Sequence, residues 1–290
     1  TLVEYGGNTI PYGGAHTRVQ RRGYCLGQAK QKRIAELLLR RRHRQPARIR
    51  QRASEQPIDE EATRRHHRQR RPPNMIKDGC IAQWKGVKYF MVSFTDLFGG
   101  QRAKLVPAQA IAEMQEDGAG FAGFATYLDM TPAHPDMLAV PDASSVIQLP
   151  WKAEVAWVAA NCVMEGEDVA QAPRNVLRKL IDRAADQGLH VKTGIEAEFF
   201  LLTPQGDQIS DPFDTAAKPC YDQQAVMRRY EVIREICDYM LELGWGPYQN
   251  DHEDANGQFE MNWEFDDALK TADKHSFFKF MAKSVAEKHG

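Results

Sequence analysis

The sequence predicts an α+β protein whose regular elements begin near residue 85. Two kinds of pattern indicate this class. Stretches rich in β-branched and aromatic residues, typical of strands, occur at 87–94 and 154–164. Apolar residues at helical spacing occur at 173–188 and 222–243. We therefore expect a small, mainly β domain followed by a second domain that contains both helices and strands.

In the first predicted domain, residues 75–168, two strands form a hairpin. Residues 87–94 have the composition of a strand, and residues 102–106 form its partner. Residues 96–100 between them contain an Asp and two glycines, which is typical of a turn. A short helix is expected to begin at Pro107, because proline is tolerated in the first turn of a helix. Further strands are predicted at residues 145–149 and 154–164.

The second predicted domain, residues 169–290, contains three helices and two strands. Pro173 is placed in the first turn of one helix, and Gly188 is placed to end it. A longer amphipathic helix is predicted over residues 222–243. The predicted buried stripe of this longer helix consists of Val226, Tyr230, Ile233, Cys237, Met240 and Leu241. The remaining predicted elements are strands at 191–202 and 258–264 and a last helix at 271–289.

Composition excludes several classes of protein. The chain has 290 residues, of which 42% are apolar and 27% are charged, as is usual for a globular protein. It contains no run of about 18 apolar residues and no apolar core of a secretory signal, so we expect neither a membrane-spanning helix nor secretion. The five cysteines form no CxxC pair, which argues against a disulfide framework or a zinc knuckle. These observations predict a cytoplasmic protein.

Residues 1–74, the basic arm, differ in composition from the rest of the chain. They contain 18 Lys and Arg against 6 Asp and Glu, whereas the remainder carries a net charge of −13. The arm contains no Phe, Trp or Met, so we expect most of it to be disordered for lack of apolar surface to bury. Translation of upstream or frame-shifted DNA, with a true start near Met75, is favoured over nucleic-acid binding, because the arm contains no recognition module.

Two segments of alternating residues place acidic side chains on one face of a strand. In residues 194–200, Glu196 and Glu198 lie on the face opposite the apolar residues. Like charges side by side are unfavourable unless a cation lies between them. In residues 251–263 the same alternation continues. Its polar face consists of Gln258, Glu260 and Asn262, opposite Phe259, Met261 and Trp263.

Four acids, Glu196, Glu198, Glu253 and Glu260, are therefore candidate metal ligands. Carboxylate oxygens suit Mg²⁺ or Mn²⁺, which retain water molecules and leave positions for substrate phosphates. The alternative is that each strand simply exposes a polar side to solvent. This alternative is less favoured because two such segments occur, each with bulky apolar residues on the opposite face. His252, next to Glu253, is interpreted as a residue that orients Glu253 in preference to a ligand.

Four motifs occur in order along the chain. They are Phe94-Thr95-Asp96-Leu97-Phe98-Gly99, Val140-Pro141-Asp142-Ala143-Ser144, Gly194-Ile195-Glu196-Ala197-Glu198-Phe199-Phe200, and His252-Glu253 with Gly257-Gln258-Phe259-Glu260. Together they resemble the glutamine synthetase family over about residues 80–290, and most of all its type III or GlnT-like branch, which includes γ-glutamylmethylamide synthetases. The resemblance implies a β-grasp domain at residues 75–168. It further implies a partial catalytic domain at residues 169–290, an antiparallel half-barrel sheet with flanking helices.

The resemblance also implies an ATP-dependent carboxylate-amine ligase. In this family ATP phosphorylates the side chain of glutamate, and ammonia or methylamine then displaces phosphate from γ-glutamyl phosphate. By similarity, Glu198, Glu253 and Glu260 hold a metal ion near the amine and the glutamate, and Glu196 contributes to the ion that bridges the nucleotide phosphates. Asp136 lies where the family has an acid near the ammonium site. The family forms rings, usually dodecamers, in which the β-grasp domain of the next subunit completes each cavity.

The chain departs from the family pattern at one loop. The family sequence Phe-Asp-Gly-Ser-Ser corresponds here to Phe121-Ala122-Gly123-Phe124-Ala125, so the acid that favours a small cation is absent. Phe124 adds apolar surface, and we therefore hypothesise methylamine as the preferred amine. The alternative is that another acid supplies the base and that ammonia remains the substrate.

By the same resemblance, part of the site would follow residue 290. The family has a metal-binding histidine segment and arginines for glutamate and phosphate there, so we expect a C-terminally truncated chain without synthetase activity of its own. Two other functions stay open. One is a related glutamate-cysteine ligase, which the segment from Glu253 to Glu260 fits less well. The other is a non-catalytic regulatory or nucleic-acid-binding protein that uses the basic arm.

Overall fold

The computed structural model describes residues 2, 3, 84 and 86–290. Apart from residues 2 and 3, the basic arm lies outside the described residues, as does Met75. The predictions about that arm, including nucleic-acid binding, therefore stay predictions. All described residues belong to one compact unit.

Strands dominate the first part of the described chain. They are β1 (Leu2–Val3), β2 (Tyr89–Thr95) and β3 (Gln101–Pro107), then after helix α1 (Ile111–Asp117) β4 (Ala119–Phe121), β5 (Met137–Pro141), β6 (Ile147–Gln148), β7 (Val155–Met164) and β8 (Glu167–Asp168). Except for β1, these strands form one sheet in the order β3-β2-β7-β5-β4, with β6 and β8 also paired to β7. The strand predicted at residues 145–149 is shorter than expected, because Ala143–Ser145 forms a 3-10 turn.

Helices dominate the second part. The elements are α2 (Pro173–Ala185), β9 (Lys192–Leu201), α3 (Gln223–Arg228), α4 (Tyr230–Glu242), β10 (Pro247–His252), β11 (Gln258–Asp267) and α5 (Ala268–His289). The second sheet has the order β1-β9-β11-β10. The predicted α+β class is confirmed, and so are strands β9 and β11, whereas β10 was not predicted.

The β2–β3 hairpin is confirmed and is explained by its turn residues. The two strands pair antiparallel over their full lengths. Asp96 is buried and accepts hydrogen bonds from the N–H groups of Phe98 at 3.0 Å and Gly100 at 2.8 Å. Gly99 has a φ of 78°, a conformation that glycine adopts without steric cost. One buried carboxylate and one glycine therefore fix the turn.

The helix predicted over residues 222–243 is in fact two helices. α3 ends at Arg228 and α4 begins at Tyr230, and Arg229 between them leaves helical geometry with φ −114° and ψ 15°. The Arg229 side chain donates from Nε to Oγ of Ser210 at 2.8 Å. This contact is made to a loop about twenty residues earlier, so no helical periodicity in the sequence indicates it.

The break also shifts the buried stripe of α4. Ile233 and Met240 are buried as predicted, but Tyr230 and Leu241 are 43% and 58% exposed. Ile236, with Val232, is buried in their place. The prediction continued one helical period across residue 229. Because the helix breaks there, the predicted buried positions of α4 are rotated around the helix axis from the observed ones.

Strand β7 has an apolar core on each of its faces. Trp157 belongs to a cluster with Phe277 of α5 and Trp263 of β11. Val158, the next residue, belongs to a second cluster with Phe90 of β2. A strand that is buried on both faces has a nearly continuous apolar sequence, as β7 does. Strand β7 therefore contributes to both cores and packs the first sheet against the second through Trp157 and Ala159.

Arg174, in the first turn of α2, links elements from both parts of the chain. Its Nε and Nη2 atoms donate to the two carboxylate oxygens of Asp273 on α5 at 2.9 and 2.8 Å. Nη2 also lies 2.8 Å from Oδ2 of Asp142, and Nη1 donates to Asn161 of β7. The three charged side chains are only 9–12% exposed. Asp142 belongs to the second sequence motif, so this acid serves to hold α2 and α5 against the first sheet.

A second charged cluster joins α4 to the end of α5 and predicts a dependence of stability on pH. Glu235 accepts hydrogen bonds at 2.7 Å from Tyr239, Lys288 and His289. Burial alone would raise the pKa of Glu235, but these three hydrogen bonds lower it from 4.5 to about 2. A carboxyl group with a lowered pKa stabilises the fold above its unfolded pKa and loses that contribution as pH falls.

We therefore expect the wild-type chain to lose stability between pH 4.5 and about 2 through Glu235. The Glu235→Gln variant should be less stable near pH 6 but should lose less on acidification over that window. Thermal unfolding midpoints of both chains at pH 6 and pH 3 measure the difference. Equal losses in both chains would show that this cluster does not carry the effect.

No helix in the described part of the chain combines the length and the apolar character that crossing a membrane requires. The location of the protein in the cell stays a prediction.

Candidate active site

Three strands of the second sheet carry the candidate site. They lie in the order β9-β11-β10 and are antiparallel to one another. Their apolar side chains point towards α5, where the rings of Phe199 and Phe278 lie 6.1 Å apart. Met261 and Trp263 on β11 are at most 2% exposed on this side. The alternation predicted from the sequence is confirmed, and the acidic side chains lie on the opposite face.

The first cross-strand row on that face consists of three carboxylates. Glu260 on β11 is directly opposite Glu198 of β9 and directly opposite Asp251 of β10. Residues that face each other in antiparallel strands have Cβ atoms about 4.5–5.5 Å apart. Gln258 donates from Nε2 to Oε2 of Glu198 at 2.6 Å. Pairing of the strands thus forces three like charges close together.

The second row lies two residues further along β11. Asn262 is directly opposite Glu196 of β9 and opposite Gln249 of β10. Its Nδ2 donates to Oε1 of Glu260 at 2.8 Å, which connects the two rows. The predicted acids Glu196 and Glu260 are therefore on one face, as diagonal neighbours in adjacent cross-strand rows.

Glu253, the fourth predicted acid, lies in the turn between β10 and β11. Its N–H donates to the carbonyl oxygen of Gln258 at 2.9 Å, and its Oε2 accepts from the N–H of Asp254 at 2.9 Å. Its carboxyl group is near enough to Glu260 to help raise the pKa of that acid. The turn therefore brings Glu253 to the same face as the two rows.

His252 supports this turn from the apolar side of the sheet. The ring is fully buried and lies 5.2 Å from the ring of Phe259. Nε2 is 2.6 Å from Oδ2 of Asp214, and Nδ1 is 3.0 Å from the carbonyl oxygen of Glu253. Asp214 also accepts from the N–H of Gly257 at 2.5 Å. His252 thus acts on Glu253 through the backbone, and its ring points away from the acids.

The electrostatics of the rows follow from burial and repulsion. Burial, and then repulsion from Glu260 and Glu196, raise the pKa of Glu198. Burial, with the nearby Glu253 and Glu196, raises the pKa of Glu260 although Asn262 donates a hydrogen bond to it. Burial and Glu260 raise the pKa of Asp251. Raised pKa values show that the ionised face is unfavourable until positive charge is supplied.

The donor set of this face fits a hard divalent cation. It consists of oxygen atoms, which Mg²⁺ and Mn²⁺ prefer, and it includes no thiolate. Oδ1 of the fully buried Asn262 has no hydrogen-bond partner, which leaves one more oxygen available. Within residues 86–290 no three His, Cys, Asp or Glu side chains already surround a single point as metal ligands do. The acids are adjacent, but binding would require their side chains to converge further.

Asp136 lies apart from these acids. It immediately precedes β5 in the first sheet, and its side chain is exposed. Within this chain the structure does not bring Asp136 to the acidic rows.

Sequence reasoning missed Asp251 as a member of the first row. The segment Pro247–His252 is almost entirely polar, so it lacks the alternation by which β9 and β11 were found. Only the pairing of β10 with β11 reveals that Asp251 faces Glu260.

Comparison with known proteins agrees with the geometry. Residues 170–290 match the family described as the glutamine synthetase catalytic domain. This part of the chain belongs to the glutamine synthetase family. The glutamine synthetase resemblance drawn from the four motifs is thereby confirmed.

Relatives of known name extend the match towards the N-terminus. A glutamine synthetase from Rhizobium meliloti (strain 1021) is 77% identical over 210 residues, which are 72% of this chain and 48% of that protein. A glutamate-methylamine ligase from Methyloversatilis universalis is 38% identical over 208 residues, covering 70% of this chain and 47% of that protein. The chain thus spans about half the length of the glutamine synthetase family members that it matches.

Solved structures give the same result. A structure of GmaS in complex with ADP has a TM-score of 0.71 and 64% sequence identity, over 73% of this chain and 49% of that one. Apo GmaS without ligand gives the same TM-score and identity. Over the matched residues, the fold of this chain is therefore similar to that of GmaS.

Proposed function

We propose that this chain forms part of an ATP-dependent ligase that joins the side-chain carboxylate of glutamate to an amine through γ-glutamyl phosphate. The observation that supports this most is the pair of cross-strand rows in which Glu198, Glu260 and Glu196 lie on one face. The names of the relatives, glutamine synthetase and glutamate-methylamine ligase, support the same reaction class.

The first step of such a reaction brings two anions together, the glutamate carboxylate and the nucleotide phosphates. Mg²⁺ or Mn²⁺ would neutralise the phosphoryl oxygens in that step. Glu198, Glu253 and Glu260 would hold one ion on the amine and glutamate side, and Glu196 would contribute to the ion on the nucleotide side. Burial, and then repulsion among these acids, raise the pKa values of Glu198 and Glu260, and both effects favour a cation beside them.

We further propose that residues 75–168 form a β-grasp domain. We also propose that the subunits form a ring, usually a dodecamer, in which that domain completes the site of the next subunit. Asp136 is exposed and lies just before β5 of the other sheet, which supports a role in the site of a neighbouring subunit and not in its own. Asp136 would there lie near the amine.

For the amine we propose methylamine over ammonia. Ala122 occupies the position where the family has an acid, so the loop has no charge for a small cation. Phe124, in the 3-10 turn Gly123–Ala125, is 52% exposed and offers apolar surface. Relatives of both names match the chain, a glutamate-methylamine ligase at 38% identity and a glutamine synthetase at 77%, so this preference rests on the loop.

Steady-state kinetics on a chimera test this function. In the chimera the C-terminal half of the Rhizobium meliloti relative follows residue 290, because the chain alone is expected to be inactive. We expect phosphate release that requires glutamate, ATP and an amine, with a higher kcat/KM for methylamine. The Ala122→Asp chimera should shift that preference towards ammonia by roughly tenfold or more.

One result would contradict the ligase function, and another would contradict only the choice of amine. If neither amine supports phosphate release by a folded chimera, the ligase function is wrong. If ammonia clearly outcompetes methylamine at equal free-base concentration, only the choice of amine is wrong.

A further inference from the structure

Asn262 is an unusual residue for the middle of a buried strand. It is 0% exposed and lies on the acidic face of β11, between Glu196 and Gln249 on the two neighbouring strands. Every other fully buried side chain of β11 is apolar and points to the opposite face. A polar side chain so deeply buried normally has all its hydrogen-bonding groups satisfied.

Of the two polar atoms in the Asn262 side chain, one has a hydrogen-bond partner and the other has none. Nδ2 donates to Oε1 of Glu260 at 2.8 Å, whereas Oδ1 has no partner. With Glu260 ionised, this amide orientation is the favourable one, because in the reverse orientation Oδ1 would face the carboxylate oxygen without a proton between them. The carbonyl oxygen is therefore the free atom, held in place by the hydrogen bond to Glu260.

A free, buried carbonyl oxygen beside carboxylates points to a positively charged ligand. Asn262 is directly opposite Glu196 and is hydrogen-bonded to Glu260, so it lies between the acids assigned to the two ions. The acids on this face already carry several negative charges. An amide oxygen adds a ligand without adding further repulsion, and hard cations accept such oxygens.

We propose that Oδ1 of Asn262 binds the divalent cation to which Glu196 contributes, directly or through one metal-bound water, while Nδ2 orients Glu260, a ligand of the other cation. This inference rests on the proposed function, since it takes the acidic face to be a cation site. It assigns Asn262 as a positioning residue that fixes Glu260 through Nδ2 and the cation through Oδ1. The sequence identified Asn262 only as a member of the polar face.

Two variants at this position separate cation binding from a purely structural role. Asn262→Asp keeps the oxygen and adds charge, so Mn²⁺ should bind roughly tenfold more tightly while the metal-free chain becomes less stable. Asn262→Leu removes the oxygen, so Mn²⁺ should bind roughly tenfold or more weakly. A structural role predicts changes in thermal stability alone, without opposite changes in affinity.

Asn250 provides a matched control. It lies on the adjacent strand opposite Met261, on the apolar side, and its Oδ1 also has no partner. Asn250→Leu should therefore leave Mn²⁺ affinity unchanged. The dissociation constant of Mn²⁺ is measured on the 290-residue chain by the electron paramagnetic resonance signal of free Mn²⁺, and thermal midpoints are measured without metal.

The outcomes distinguish this inference from the function on which it rests. Loss of affinity in Asn262→Leu and gain in Asn262→Asp support it. If Glu260→Gln weakens Mn²⁺ binding but both Asn262 variants match Asn250→Leu, then only an ordered water satisfies Oδ1 and the inference is wrong. If Glu260→Gln has no effect on Mn²⁺ either, the cation site itself is wrong.

Discussion

Replacing Arg174 by methionine is expected to lower the free energy of unfolding by about 3–5 kcal/mol. The guanidinium is the shared partner of Asp142 and Asp273, and all three side chains are nearly buried. Removing it leaves two carboxylates close together in the interior, where an unpaired charge is strongly unfavourable. Urea denaturation at neutral pH measures the loss.

The pH dependence of that loss gives a second check. In the wild-type chain burial opposes ionisation of Asp142, but Arg174 lowers its pKa below the ordinary value. Without Arg174 the folded-state pKa values of both acids should rise, so the variant should recover stability as pH falls and they become neutral. Arg234→Met is the control, because Arg234 pairs with Glu231 and Asp238 on the surface of α4. It should cost less than about 1 kcal/mol, and an equal loss in both variants would contradict the account of Arg174.

Replacing both Glu198 and Glu260 by glutamine is expected to change metal affinity and stability in opposite directions. Affinity for Mn²⁺ should fall by roughly 100-fold or more, because two of the proposed ligands lose their charge. The metal-free chain should become more stable at neutral pH, because the two side chains no longer repel each other. Residues that serve binding at the expense of stability behave in this way.

The size of this stability gain depends on pH. Burial and neighbouring acids raise the pKa of Glu198 and of Glu260, so their ionisation destabilises the folded chain as pH rises through those pKa values. The gain in the double variant should therefore be full at neutral pH and should disappear in acid. Glu167→Gln, an exposed acid on β8 in the other sheet, serves as the control. A double variant that is less stable at neutral pH, or that binds Mn²⁺ as tightly as the control, would contradict the account.

Alternation explains why much of the site was predictable from sequence. On β9 and β11, polar and apolar residues alternate with the period of a strand, so the face of Glu196, Glu198 and Glu260 followed directly from their spacing. The register between the strands was not encoded in that pattern. It decides that Glu198 and not Glu196 faces Glu260.

Contacts between distant segments explain what was not predictable. The break at Arg229 coincides with a hydrogen bond to Ser210, and the burial of His252 depends on Asp214, in a loop with no periodic pattern. Asp251 is in a strand whose sequence has no alternation. In each case the contact is made with a residue of another segment, and the spacing of residues within one segment does not predict such a contact.

A crystal of the 290-residue chain grown with Mn²⁺ and measured for anomalous scattering tests the central claim most directly. The claim is that the acids of β9, β11 and the β10–β11 turn bind divalent cations on one face. It predicts an anomalous peak with carboxylate oxygens of Glu198, Glu253 or Glu260 within about 2.0–2.6 Å. A crystal that contains Mn²⁺ only at other positions, with these carboxylates turned away from one another, would contradict it.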